Sequence, residues 1–449
     1  MNATRALLAI MVAVITAAQA HAADITQLSL GEAISRGLEQ NNQGRAARFQ
    51  AEAARSGATA ASLHYLPSVT LEETWSRSNV PVNTFMMKLN QGRFTAQDFD
   101  PARLNNPAPV SDYRSAVTVE QPLLVPSAWA GQQVAERGAE RQEALAQLSK
   151  EQVAFQIFQR YLEVQQAKAQ LQVVEKAVDE ARESRRQAIV RTKAGLGLKS
   201  DELRAETQLA GVEQQAISAA NNLILARMRL ALATGGQPGE QLDARDGVTI
   251  KPPGQQPAVL QALANQQRLD LRAAERAKEQ ADAALLQTRT GFLPTMGAFG
   301  SWQMNDHATP VGRDHDAWMA GVTLRWNIFD GFRTWNTSAQ ASASRAAAAE
   351  MLEQTRKQVN YEVREALLRR QEAEKRLQVA QNAVSAAEET TRILAKRFDN
   401  ALATILELLD AQNALNQARA NLVESNAYLL LATGRVYYAA GTFLKEVQQ

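Results

Sequence analysis

Apolar residues return every seven positions through the last third of the chain. Leu352, Val359, Ala366, Ala373, Ala380, Ala387 and Leu394 form one row, and Val363, Leu377, Val384 and Phe398 form a companion row. That is a coiled-coil seam. Most seam positions are alanine, so facing backbones can approach closely, while Arg, Glu and Gln elsewhere keep the outer faces wet. Residues 345–441 therefore read as one long helix, a sharp tip, and a helix returning alongside.

A second copy of this pattern lies upstream. Sliding the chain along itself lays Leu171-Gln172-Val173 on Leu377-Gln378-Val379, Arg191 on Arg397, Asp201 on Glu407, Ala205 on Ala411 and Gly235 on Gly441, without a gap. The seam recurs as Val153, Ala167, Val174, Ala181 and Ala188. Duplication at this length predicts an elongated body made of two repeats rather than several globular domains. The first long helix, over 128–192, would be about 100 Å long at a rise of 1.5 Å per residue.

Each helical hairpin is preceded by a different pattern. A helix is expected over 30–63, with Ser29 as its cap and Ala33, Ile34, Gly37 and Leu38 on one face; its counterpart starts near Pro257. These end at His64-Tyr65-Leu66-Pro67 and at Gly291-Phe292-Leu293-Pro294, where proline stops the helix and extends the residue before it. Beyond each proline the period becomes two. Val69, Leu71 and Trp75 alternate with Ser68, Thr70, Glu72 and Thr74; Met296, Ala298, Gly300 and Trp302 alternate with Thr295, Gly297 and Ser301. Returning strands are expected over 113–124 and 318–329, the latter with Trp318, Ala320, Val322, Leu324, Trp326 and Ile328 on one side. Strands of about 10 residues with an apolar side and aromatic ends match outer-membrane strands. Four strands cannot close a barrel, and lipid cannot satisfy open edges, so several chains must contribute strands to one barrel.

The expected organisation is then a signal peptide over 1–22 and a first repeat over 23–235, with its strand hairpin at 65–125 and helical hairpin at 128–234. A Gly- and Pro-rich linker over 236–256 leads to a second repeat over 257–449, with its strand hairpin at 292–329 and helical hairpin at 332–441. The signal reading rests on Arg5, the apolar run after it, and small residues at Ala18, Ala20 and Ala22. The two strand connections differ: 79–112 is a long loop rich in Pro, Phe and Met, and 305–316 is short.

Composition removes several function classes. The chain has 449 residues, no cysteine, four histidines and a net charge of +2. No thiolate metal site or disulfide can form, and a near-neutral balance does not fit a nucleic-acid partner. Asp306-His307 with Asp314-His315-Asp316 matches no metal-ligand spacing and reads as a solvated loop. Gly195-Leu196-Gly197-Leu198-Lys199-Ser200 looks superficially like a phosphate loop, but Leu198 stands where glycine is needed and a helix precedes it. No nucleophile elbow, helical His pair or Cys-His pair is present, so neither catalysis nor a cofactor is expected.

The order of a signal peptide and then, twice over, a helix, a strand hairpin and a long helical hairpin resembles the TolC family of outer-membrane efflux and secretion channels across the whole mature chain. The tip segments 191–206 and 397–412 carry the resemblance most specifically, and the turns Gln121-Pro122-Leu123 and Ile328-Phe329-Asp330-Gly331 add to it. It implies an α plus membrane-β fold. A homotrimer would supply four strands per chain to a twelve-stranded outer-membrane barrel set in outer-membrane lipid, continued by a helical tunnel across the periplasm. Its implied partners are a periplasmic adaptor and an inner-membrane transporter. The cargo could be a drug, a metal ion or a polypeptide.

The resemblance also implies site residues. Glu407 and Asp410 match an acidic pair that rings the periplasmic aperture. Phe398 and Ala403 stand where the family has an aromatic hydroxyl and an arginine that lock the closed state, and neither side chain can make those bonds. Their usual partners match Ser200 and Asp201, which are present. The tips, with Gly195, Leu196, Gly197 and Leu198 on one hairpin and Ala401, Ala403 and Thr404 on the other, are expected to meet the adaptor. The alternatives are a periplasmic coiled-coil adaptor, which would carry one hairpin beside a lipoyl-like domain, and a soluble scaffold.

Overall fold

The computed structural model describes residues 25–447 apart from 238 and 246, so the signal-peptide expectation lies outside the described residues. In chain order the elements are β1 (Thr26–Leu28), α1 (Leu30–Gln40), α2 (Asn42–Ser62), β2 (Ser68–Ser78), α3 (Pro81–Asn90), α4 (Pro101–Asn105), β3 (Val110–Leu124), α5 (Pro126–Lys193), α6 (Lys199–Ala233), β4 (Leu242–Ala244), α7 (Pro257–Gln267), α8 (Leu269–Arg289), β5 (Thr295–Asp306), β6 (His315–Arg325), α9 (Arg333–Asp399), α10 (Ile405–Ala440) and α11 (Phe443–Val447). The chain divides into two units. One holds Met1–Gln50, Ala144–Arg272 and Gln354–Gln449; the other holds Ala51–Glu143 and Ala273–Glu353.

The second unit carries the sheet. Its strands run β2-β3-β5-β6, every pair antiparallel, which leaves β2 and β6 as edges. Register explains the alternation seen in the sequence. Leu71 pairs with Val117, Val117 with Trp302, and Trp302 with Trp318, so one apolar row crosses all four strands. The row Thr70, Thr118, Ser301 lies on the opposite face, where the Thr118 and Ser301 hydroxyls meet at 3.2 Å. The apolar face is bare: Leu71, Trp318, Val322 and Leu324 are all exposed.

The connection expected to be a loop over 79–112 is helical. Pro81 and Pro101 each sit in a first helical turn, where their lack of an N–H costs nothing. Phe85, Phe94 and Phe99 stack edge to face in series. Gln91, buried at the end of α3, donates through Nε2 to the Ser111 carbonyl and to Asp112, each at 2.8 Å, and pins the insertion to β3. Strand β6 also ends at Arg325, short of the expected 329.

The first unit is built on the long helices. Helices α5 and α9 have 68 and 67 residues, and α6 and α10 return beside them with 35 and 36. The alanine seam is internal: Val359, Val363, Ala366, Ala373, Ala380 and Phe398 are buried on α9, as are Val153, Val174, Ala181 and Ala188 on α5. The largest core joins Ile34, Ile157, Phe158, Tyr161, Leu230 and Phe443.

Two findings depart from the expected elements here. The helix over 30–63 is broken at Asn41. Ser29 and Glu32 form a capping box that starts α1, and Asn41 restarts the chain as α2 by accepting from the Gln43 and Gly44 amides at 2.8 and 3.2 Å. Its amide also donates to the Ala233 carbonyl at 2.8 Å. Arg268 stands at the matching break between α7 and α8 and donates to the Ala439 carbonyl at 3.4 Å. Gly235 and Gly441, with φ of +83° and +73°, close α6 and α10 against these breaks; a side chain at Gly235 would meet the Gln40 carbonyl at 2.5 Å. The second departure is in the linker, where β4 pairs in parallel with β1. The Tyr161 hydroxyl fastens this pair by donating toward the Leu28 and Arg245 carbonyls at 3.0 and 2.7 Å.

Candidate functional site

Both helical hairpins turn by the same backbone device. Leu196 N donates to the Arg191 carbonyl at 2.9 Å and Leu402 N to the Arg397 carbonyl at 2.7 Å. Gly195 N and Ala401 N close the inner bonds to Thr192 and Phe398, at 3.1 and 2.9 Å. These are Schellman turns, which require a left-handed residue. Gly195 supplies it with φ of +74°, and Ala401 takes the same conformation at +60°, at a cost of about 1 kcal/mol for a residue with a Cβ.

The turns push leucines into solvent. Leu196 is 73% exposed, Leu198 68% and Leu402 67%. Leu402 lies within the expected tip 401–404, at the place that matches Leu196 in the repeat. Gly197 approaches Thr192 closely, and a Cβ added there would lie only 3.3 Å from the Thr192 amide nitrogen and hydroxyl.

Thr404 caps α10 and Glu407 completes a capping box. The Glu407 carboxylate accepts from the Thr404 amide at 2.7 Å and from its hydroxyl at 2.9 Å, and the Thr404 hydroxyl accepts from Glu407 N at 3.3 Å. The Thr404 amide, then the hydroxyl, hold the Glu407 carboxyl below its usual pKa. Within one chain the shift is therefore opposite to the rise that like-charge crowding would give. Asp410, one turn further on, is exposed. Asp201 does for α6 what Glu407 does for α10, accepting from Leu198 N at 3.3 Å. Ser200 is exposed beside it.

Phe398 lacks a hydroxyl, yet it is tied to the other hairpin. Its ring is buried with Ile405, Leu408 and Leu409. The Arg191 guanidinium carbon lies 4.4 Å from the ring centroid, and its Nη1 donates to the Phe398 carbonyl. This arginine was not among the expected site residues, because nothing local marks a contact so distant in sequence. Higher up, Arg419 bridges Glu180 at 2.9 Å and Glu388 at 3.3 Å, and Ser184 and Gln412 bond at 3.0 Å. A polar ladder thus joins the two hairpins of one chain.

Above the tips, α5, α6 and α10 line a groove of about 1090 Å³ whose wall includes Gln166, Gln170, Gln214, Asn222, Asn416 and Gln417. Neutral amides dominate the polar part of the wall, and Ala and Val make up most of the rest. In the turn between β5 and β6, ligating atoms of Asp306, His307 and Asp314 lie within 4.8 Å of one another. The loop's own donors already occupy them: Asp306 Oδ1 accepts from the Ala308 and Thr309 amides at 2.8 Å, and Asp314 Oδ2 faces His307 Nδ1 at 2.6 Å. Asp316 instead holds Arg313 and the Trp302 indole.

The sequence profile of the outer membrane efflux proteins matches residues 33–236 and 260–442. The chain belongs to this family. As an outer membrane efflux protein it is a channel component of the Gram-negative outer membrane. Outer membrane protein TolC of Vibrio cholerae is 24% identical over 344 residues, which cover 75% of this chain and 78% of that one. Among solved structures, the CmeC outer membrane channel of Campylobacter jejuni superposes with a TM-score of 0.79 at 17% identity, covering 94% of this chain and 89% of that one. The open state of the MtrE outer membrane channel of Neisseria gonorrhoeae gives 0.75 at 19%, covering 94% and 90%. The fold of this efflux protein is theirs, mostly helical with a single small set of long strands.

One consequence of the cap is measurable. Glu407 has a lowered pKa, so its support of the first turn of α10 is complete above the ordinary carboxyl value of 4.5 and is lost as pH falls through that value into the lowered one. Protection of the 405–408 amides from exchange, taken relative to the intrinsic rate at each pH, should fall on acidification across that window. Thr404→Ala should raise exchange there already at pH 7 and flatten the dependence, and an unchanged profile would remove the cap from the tip's stability.

Proposed function

We propose that three copies of this chain form one conduit through the outer membrane and onward into the periplasm. Each copy contributes four strands to a twelve-stranded barrel, and the two helical hairpins of each copy form part of a tunnel wall. The observation that carries this reading is the sheet: two long edge strands pair with nothing among the described residues, and a continuous apolar row lies bare on one face. In lipid every such edge must be paired, which closure with other copies achieves. The helices cannot take this role, since none among the described residues is long and apolar enough to cross a membrane.

The organisation follows the duplicated pattern, with repeats at 23–235 and 257–449 joined by 236–256. The exposed leucines and small residues of the two tips suit docking to the helical hairpin of a periplasmic adaptor, which would connect the channel to an inner-membrane transporter. Glu407 and Asp410 from three chains would ring the aperture. Arg191 would restrain it, since its guanidinium takes the linking role that the side chains of Phe398 and Ala403 cannot.

Fractionation separates this reading from a soluble scaffold or adaptor. The protein should stay with membranes through washes in high salt and urea and be released by detergent. Release by salt or urea alone would place it at the membrane surface and contradict insertion.

A further inference from the structure

A carboxylic acid is buried where nothing answers it. Glu151 on α5 is 6% exposed and forms no hydrogen bond or ion pair among the described residues. Burial pushes its pKa up to about 7, with Arg268 opposing and Asp270 adding to the rise. The neighbouring Arg268 is already committed. It donates through Nε to Asp270 at 2.9 Å, through Nη2 to Asp270 at 2.5 Å, and through Nη1 to Glu362 at 2.6 Å and to the Ala439 carbonyl. Glu151, Asp270 and Glu362 therefore share one buried cation, and Arg268 has no donor bond to Glu151. Tyr438, packed from α10, also feels the Glu151 charge.

Glu151 opens onto a cavity of about 350 Å³ between α5, the α7–α8 break and the turn leading into α11. Gln267, also lining it, has a buried Oε1 with no hydrogen-bond partner. The Thr442 hydroxyl lines it as well, and Leu269 and Leu444 give it an apolar side. Three oxygen acceptors next to a short apolar wall suit a donor-rich cationic head on a small hydrocarbon. A divalent metal would want about six oxygens, whereas an ammonium group has only three donors to place.

We propose that this cavity binds a small primary alkylammonium ion, with Glu151 as counter-ion and Gln267 Oε1 and Thr442 as further acceptors. Arg272 and Lys445 stand at the rim with exposed heads and oppose the bound charge, which limits the site to weak affinity. Occupancy would join α5, the α7–α8 break and the C-terminal turn through one ligand. The proposal is independent of barrel closure and of the tips.

The test uses the full-length protein in detergent at pH 8, with ethylammonium as the probe and tetramethylammonium, which has no N–H, as the control at equal ionic strength. Ethylammonium should raise the unfolding midpoint saturably, by about 2 °C or more, and the control should not. Glu151→Gln, an isosteric change that removes only the charge, should fold and lose the effect; Gln267→Leu should weaken it severalfold, and Lys445→Gln should strengthen it. Below pH 7 the apparent affinity should fall by up to tenfold per unit as Glu151 takes a proton. An equal shift with tetramethylammonium, an undiminished shift in Glu151→Gln, or no saturable shift would each overturn the site, the last leaving Glu151 as a buried acid that binds a proton only.

Discussion

Placing arginine at Gly197 or Ala403 is expected to reduce transport to the level of cells lacking the protein, with the assembled channel still present in the membrane. Gly197 sits against Thr192, where a Cβ would lie 3.3 Å from the amide nitrogen and fit only if the turn gives slightly. Ala403 is half-buried beside the cluster of Phe398, Ile405, Leu408 and Leu409. A long charged side chain at either position would add bulk where a partner hairpin has to approach and would place charge beside Leu196, Leu198 and Leu402. Exposed apolar residues at the very end of a helical hairpin are otherwise a solubility liability, which is the reason to assign them a partner. Transport assays with membrane levels of each variant decide the matter; normal transport by both variants would remove the tips from the interface.

The parts of the fold that could be read from sequence are those with a long or punctuated signal. The heptads of α5 and α9, the prolines at 67 and 294, and the period-two runs after them each leave many residues in agreement, and the buried seam and strand register follow them. Short elements left no period. Strands β1 and β4 have three residues each, and their pairing depends on Tyr161 rather than on any local pattern. The break at Asn41 has neither proline nor glycine to mark it. The helices at Pro81 and Pro101 were signalled by proline in the first turn, but their Phe and Met content reads equally as loop. At the site, Glu407 and Asp410 came from family position alone. The capping role of Glu407 was legible in the Thr-x-x-Glu spacing of 404–407, and the Arg191 link to Phe398 was not, because it joins residues of two different hairpins.

Glu407→Ala combined with Asp410→Ala should weaken block by multivalent cations by about tenfold or more in planar-bilayer recordings and reduce preference for cations over anions. Three chains would bring six carboxylates around one narrow opening, and rings of Asp and Glu attract and select cations. The cap makes the two acids unequal. Glu407 spends part of its carboxylate on Thr404, which holds it ionised to lower pH, whereas Asp410 is exposed with all its acceptor capacity available. Asp410→Ala alone should therefore account for most of the lost block. Glu407→Gln should have less effect on block than Glu407→Ala, since an amide oxygen can still accept from Thr404. Arg191→Ala should raise the frequency of opening without changing selectivity, because it removes a link between hairpins and no charge from the ring. Wild-type block and selectivity in the double variant would remove both acids from the aperture.

The mass of the particle in mild detergent tests the whole arrangement most directly. Sedimentation equilibrium with the detergent density-matched should give three chains per particle, with helix content retained, because the edges of β2 and β6 are paired only when copies join. A folded single chain of about 49 kDa, stable at micromolar concentration, would contradict the conduit.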